Sequence, residues 1–217
     1  AGDTDVNADL IAQADIIIFG LYPTVLLDWM GQNGHLISPG TVLTDVTGVK
    51  GCVVEQVQAI LPEGVEYISA HPMAGRELIG NEPLAVFRAA TPDMFRGANY
   101  LVVPTEKNTP EAIQLCKILG CVLGFKDVSE LSVDEHDKMI AFLSQLTHCI
   151  AISLMCSNDC TGMERYTGDS FRDLTRIAKI NENMWSELFL LNKAPLLEQM
   201  EKFRAAFDTL ENALKND

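Results

Sequence analysis

Ala14-Asp15-Ile16-Ile17-Ile18-Phe19-Gly20-Leu21 is a nearly continuous apolar run, the pattern of a parallel strand covered on both faces. Residues 8–14 read as the end of a helix leading into it, and Tyr22-Pro23-Thr24 breaks it before a helical stretch to about His35. Thr41-Val42-Leu43-Thr44 predicts a second strand, followed by the loop Asp45-Val46-Thr47-Gly48-Val49-Lys50. Val53, Val54, Val57 and Ile60 recur at helical spacing over roughly 51–61, and Val65-Glu66-Tyr67-Ile68 alternates as a third strand. Asn99 to Pro104 predicts a fourth strand, Pro110 to Leu119 a helix opened by proline, and Cys121-Val122-Leu123-Gly124-Phe125 a short fifth strand. Strand alternating with helix is the signature of right-handed parallel crossovers, so this part reads as α/β, a partial doubly wound parallel sheet.

From Ser132 onward the pattern is helical only, over about 132–157, 170–179 and 182–192. A tail follows with Leu196, Met200, Phe203, Phe207, Leu210 and Leu214 on one stripe. The chain therefore divides into an α/β part, 1–128, and an all-helical part, 129–217. Its most apolar stretch, Met139 to Cys156, is interrupted by Ser144, Gln145, Thr147 and His148 and reads as a buried helix rather than a membrane span.

Charge narrows the partners. Lys and Arg total 16 against 30 for Asp and Glu, a net charge of -14 over 217 residues, which argues against nucleic acid, since phosphate binding needs a basic footprint. An anionic substrate would have to be held by a few locally placed basic groups. The six cysteines show no paired CxxC spacing and read as reduced and buried, neither a disulfide framework nor a zinc site. The first residues, AGDTDVNADL, are polar and acidic, unlike a signal peptide, so a cytoplasmic location without membrane contact is expected.

Four stretches carry polar groups that a core does not require. In Ser69-Ala70-His71-Pro72-Met73-Ala74-Gly75-Arg76-Glu77, Pro72 biases His71 toward extended geometry at the carboxyl end of a strand. That is the edge where open α/β sheets bind ligands, and Gly75 permits a close backbone turn there. His71 could exchange a proton near neutrality or could simply cap a turn. The Asp45–Lys50 loop offers free backbone N–H groups and a hydroxyl for an anion or cofactor edge, or a plain N-cap. Asp137, Ala141, Ser144 and His148 fall on one helical stripe, either bonded to each other or lining a pocket. Arg172, Arg176 and Lys179 concentrate positive charge, suited to carboxylate binding or to surface ion pairs with Asp169 and Asp173.

Together these stretches resemble the prephenate/arogenate dehydrogenase family, the NAD(P)-dependent oxidoreductases of tyrosine biosynthesis. The resemblance rests on ADIIIFGLYP, DVTGVK, SAHPMAGRE with Gly80, DEHDKMIAFLSQLTH, and SFRDLTRIA followed by MW and Asn192. It implies a Rossmann domain followed by a helical domain that forms a homodimer. Prephenate or arogenate would be the substrate and NAD or NADP the cofactor. His71 would be the catalytic histidine at the substrate ring hydroxyl, with Thr47 beside it. Arg176 would bind a substrate carboxylate, with His148, Ser144 and Gly75 in the same pocket. Tyr22, Pro23, Asp45 and Gly48 would border the cofactor.

Three departures bear on these expectations. Thr47-Gly48 stands where the family usually has Gly-Ser, so Thr47 would have to act from the neighbouring position, and Gln145 replaces a common histidine. The Gly-rich GxGxxG turn that receives a cofactor's pyrophosphate does not occur, as if the chain began roughly 60–80 residues into such an enzyme. A non-catalytic dimeric fragment that binds substrate without nucleotide is the alternative. A Ser/His hydrolase using Ser69 or Ser144 lacks the GxSxG elbow.

Overall fold

Tyr67 and Ile68 are adjacent in sequence and fully buried, yet they enter two different cores, because successive side chains of a strand point to opposite faces. Their strand is the centre of the first of two units, Ala1–His136 and Asp137–Asp217. The computed structural model describes residues 6–74 and 91–216. Gly75 and Gly80, and with them the proposed close turn after His71, lie outside the described residues.

The first unit holds one five-stranded sheet in the order β1 (Ile16–Phe19), β2 (Val42–Asp45), β3 (Glu66–Met73), β4 (Asn99–Val103) and β5 (Asp127–Glu130). Around it lie α1 (Ala8–Ala12), α2 (Pro23–Asn33), α3 (Val54–Ala59) and α4 (Pro110–Val122). One core packs Phe19, Leu43 and Tyr67 against Leu26 and Met30 of α2 and Val57 of α3. The other packs Ile68, Ala70, Tyr100 and Val102 against Ala112 and Cys116 of α4. Strands covered on both faces read as continuous apolar runs, as β4 does; β1 has the same pattern, but contrary to expectation only one face is covered by described residues, with Phe19 buried and Ile16 and Ile18 exposed.

Strands β1, β2 and β3 are parallel and in register, Phe19 beside Asp45 and Asp45 beside Ser69. Their carboxyl ends therefore form one edge, and His71 stands two residues beyond that row on β3. The expected sheet was all parallel; β4 instead runs antiparallel to β3, pairing Leu101 with His71, and β5 is parallel to β4. An apolar run such as Tyr100 to Val103 has no direction of its own.

The strand predicted at 121–125 is not there. Helix α4 continues through Val122, Leu123 caps it, and Gly124 at φ +88° ends it, a left-handed position suited to glycine. The fifth strand is the polar Asp-Val-Ser-Glu that follows, mostly exposed at the sheet edge. Helix α4 approaches β4 through Gly120, where an added Cβ would lie 2.6 Å from the Tyr100 ring.

Helix α5 runs from Val133 to Cys156, beginning in the first unit and carrying a π-helical segment at Ala141–Leu146. The second unit continues with α6 (Asp169–Thr175), a 3₁₀ turn at Arg176–Ala178 where a regular helix was expected, α7 (Glu182–Leu191) and α8 (Lys193–Asn216). Two burial expectations are corrected. Helix α5 exposes Met139, Phe142 and Leu143, and on the α8 stripe only Leu196 is buried, so these apolar faces are not covered by described residues of the chain itself. All six cysteines are free, but Cys116 alone is buried, while Cys121 and Cys156 are exposed. Helix α5 is long and apolar enough to cross a membrane by composition alone, but its centre holds the buried, hydrogen-bonded Gln145.

Candidate active site

Asp45 ends β2 with no exposed surface. Its carboxylate accepts from the Thr47 N–H at 2.8 Å, the Lys50 ammonium at 3.0 Å, the Tyr67 hydroxyl at 2.9 Å, and the Thr47 and Ser69 hydroxyls. Lys50, equally buried, also donates to Thr47 Oγ1 at 3.2 Å and to the carbonyl of Ala70 at 2.6 Å. Burying two charges costs several kcal/mol per ion unless each is paired and hydrogen-bonded, and here both are.

Burial by itself would raise the Asp45 pKa. The Lys50 charge and the donors Ser69 and Thr47 outweigh it, so the carboxyl titrates below its ordinary value of 3.8. Burial and the neighbouring Asp45 charge push Tyr67 well above its ordinary value, so it remains a phenol that can donate. The Ala70 carbonyl held by Lys50 belongs to the peptide that leads into His71. The loop that looked like an anion cradle thus also clamps the strand carrying the histidine.

His71 retains some exposed surface. Its Nδ1 lies 2.9 Å from Nε2 of His136, which is fully buried in the first turns of α5. A capping box fixes where that helix begins: Ser132 N–H and Oγ donate to Glu135 at 2.9 and 2.6 Å, and Glu135 N–H returns to Ser132 Oγ at 3.3 Å. His136 follows one residue later, so the box also sets its position. Burial, then the charges of Lys50 and His136, hold the His71 pKa well below 6.5, with Asp45 opposing. His71 is therefore neutral at neutral pH. Among the described residues, its Nε2 has no hydrogen-bond partner.

The Thr47 hydroxyl is bound to Asp45, Lys50 and the Val49 carbonyl. Both oxygens of Asp45 are likewise taken by protein donors. Gly48 lies in the same loop, partly exposed. Tyr22 and Pro23 open α2 directly after β1, with Tyr22 about half exposed.

In the second unit, His148 Nδ1 lies 2.8 Å from the Ser144 carbonyl, and its ring stacks on Trp185 at a centroid distance of 3.7 Å. A carbonyl only accepts, so Nδ1 carries a hydrogen. The stripe through Asp137, Ser144 and His148 is interrupted by the π segment. Buried Gln145 donates to the Leu188 carbonyl at 2.9 Å and accepts from Asn192 at 2.8 Å. Asn192 also donates to the main chain of Asp137 at 2.9 Å. The residue at the usual histidine position is thus a structural amide clamp. Arg172 pairs with Asp169 at 2.5 Å and the Thr167 carbonyl at 2.8 Å, as the surface reading anticipated. Arg176, one turn on, is exposed and has no ionic or hydrogen-bonding partner among the described residues.

Sequence reasoning singled out His71 but not His136, Tyr67, or Lys50 as its clamp. The Ser-x-x-Glu box ahead of His136, and a lysine five residues after a strand-end aspartate, were the available signals.

Residues 1–124 match the model of the prephenate dehydrogenase nucleotide-binding domain, and residues 132–217 that of the prephenate dehydrogenase dimerization domain. The chain is 28% identical over 200 residues to the prephenate dehydrogenase of Bacillus subtilis (strain 168), covering 89% of this chain and 51% of that protein. It is 29% identical to the prephenate dehydrogenase of Lactococcus lactis subsp. cremoris, covering 99% and 59%. The chain thus spans between half and three fifths of these relatives. Its fold matches the crystal structure of the A. aeolicus prephenate dehydrogenase in complex with hydroxyphenyl propionate and NAD+, with a TM-score of 0.84, 23% identity, and coverage of 98% of this chain and 73% of that one.

Proposed function

The chain belongs to the prephenate dehydrogenase family, and we propose that it takes part in the NAD(P)-dependent oxidative decarboxylation of prephenate, or of its amino counterpart arogenate, in tyrosine biosynthesis. The observation that carries this reading is a neutral imidazole with an open Nε2 at the carboxyl edge of the sheet. Ligands of open α/β sheets bind at that edge.

The chemistry needs little more from the protein. A nicotinamide held at this edge would supply the acceptor for the hydride that ring C4 gives up. His71 Nε2 takes the proton of the C4 hydroxyl as that carbon becomes a carbonyl, general-base assistance worth roughly 10²–10⁴ in rate. The bond to the ring carboxylate then breaks, carbon dioxide leaves, and its electron pair aromatises the ring. The proton held by His71 returns to the oxygen, giving a phenol. Arg176 supplies a free planar guanidinium for a substrate carboxylate. Because that carboxylate is charged throughout, its contribution is binding and orientation rather than barrier lowering. By the family resemblance His148, Ser144 and Gly75 would also contribute to substrate binding.

The cofactor fits this chain in part. The main chain at Tyr22 and Pro23 and at Asp45 to Gly48 borders the edge where a nicotinamide would lie, while the Gly-rich pyrophosphate turn is not in the sequence. Asp45 would act there by holding its loop rather than by a free carboxylate, and Thr47 by the same network. The exposed apolar stripe of α8 supports a homodimer through the helical unit, and the six free thiols suit a cytoplasmic enzyme.

The test is a fluorescence titration with NADH and NADPH, followed by assays with prephenate and arogenate. These are run on the chain itself and on the chain joined at its N-terminus to a Gly-rich βαβ unit. Turnover is expected at least in the joined protein, and Arg176→Ala should raise KM with little change in kcat. Substrate binding without turnover in either form would indicate a non-catalytic binding module instead.

A further inference from the structure

The contact between His71 Nδ1 and His136 Nε2 has a chemical consequence that neither ring has alone. Two imidazole nitrogens 2.9 Å apart form one hydrogen bond, and that bond needs one N–H and one lone pair. If His136 supplied the N–H, His71 would carry its own hydrogen on Nε2 and could accept nothing there. If His71 supplies it, Nε2 is left with a lone pair. We propose that His136 is a positioning residue: its Nε2 accepts the Nδ1–H of His71, fixing the tautomer whose Nε2 is an open base.

Free histidine in water prefers the opposite tautomer, so the assignment requires the fold to impose it. Three features of the surroundings hold the two rings in this contact and keep the pair neutral. His136 has no exposed surface and its helix start is pinned by the Ser132–Glu135 box, so the acceptor does not wander. The Lys50 ammonium holds the Ala70 carbonyl, fixing the main chain next to His71. The charged groups acting on the ring are Asp45, at the end of β2, and Lys50, in the loop after it, with His136 from α5, and β4 contributes the apolar Leu101 opposite. With Lys50 already cationic and buried, a pair carrying two imidazolium charges is disfavoured, leaving a neutral pair that can take up one proton. His136 would then act toward His71 as a carboxylate does toward the histidine of a hydrolytic triad, orienting the ring and selecting its tautomer. Being neutral, it would stabilise the imidazolium less.

The catalytic consequence rests on His71 being the proton acceptor, but the tautomer does not, and this separates the two claims. The chain has four histidines, so long-range ¹H–¹⁵N spectra of the ¹⁵N-histidine-labelled chain can be assigned by single substitutions. Above pH 7, His71 is expected to show a protonated Nδ1 and an unprotonated Nε2. His136→Phe, which keeps a ring but removes the acceptor, should shift His71 toward the Nε2–H form. His136→Gln, whose amide oxygen can reach the same place, should retain Nδ1–H. A wild-type His71 protonated on Nε2 would overturn the inference even if His136→Phe did not fold, and so would a tautomer unchanged by His136→Phe. In the enzyme assay His136→Phe should lower kcat by roughly 10²-fold or more at unchanged KM, with His136→Gln recovering most of it. If the tautomer behaves as expected while kcat does not move, His71 as the base is what fails.

Discussion

His71 sits in a setting that opposes its own protonation, and the sign of that effect is testable. Burial, the Lys50 ammonium and His136 all disfavour the imidazolium, moving the pKa well below 6.5. The neutral form is the one that can accept a proton, so activity should be full at neutral pH and fall only as the pH drops through this lowered value. A pH profile of kcat/KM should therefore show its acid limb below 6.5; a limb at or above 6.5 would contradict the environment described. His71 was legible from sequence because a proline after it and a strand before it fix its place at a sheet edge. His136 was not, because nothing in a helix-opening segment says which strand, 65 residues earlier, it will meet. Thr47 was visible as a hydroxyl in a strand-end loop, but sequence does not show that Asp45, Lys50 and Val49 consume it.

At the scale of elements, the strands covered on both faces and the helices opened by proline or a capping residue were readable. Strand direction and helix ends were less so. The β3–β4 pair is antiparallel, which an apolar run of four residues cannot announce, and β5 is too polar to resemble the buried strand expected a few residues earlier. Helix α4 shows what the apolar pattern overlooks. Gly120 is there because the helix lies against the Tyr100 ring, with no room for a Cβ. Gly120→Ala should destabilise the first unit by about 1–3 kcal/mol, the usual range for overpacking, although alanine is the better helix former. Urea unfolding would measure it, and an unchanged or raised midpoint would mean that α4 does not pack on β4 this closely. The π segment of α5 likewise explains why a stripe drawn at 100° per residue did not describe one continuous polar face. An inserted wide turn shifts the phase, and Gln145 turns inward to Leu188 and Asn192.

Over the whole molecule, the change from alternating strand and helix to helix alone was the strongest signal, and it corresponds to matches with two successive domain models. Single-chain burial was read less well. The stripe of α8 is as apolar as sequence suggests, but Phe207 is 59% and Leu214 is 73% exposed, because a periodicity says that a face needs covering and not which chain covers it. If a second copy does so, Phe207→Asp should convert the dimer to a monomer in sedimentation equilibrium while leaving far-ultraviolet circular dichroism unchanged. A wild-type chain that is monomeric at micromolar concentration would remove that partner from the account. The central claim is that His71 takes the proton of the substrate hydroxyl. The most direct test is the steady-state kinetics of His71→Asn with prephenate and NAD+, in the form of the protein that turns over. The account predicts a fall in kcat of roughly 10²–10⁴-fold with KM nearly unchanged, whereas an unchanged kcat, or a rise confined to KM, would contradict it.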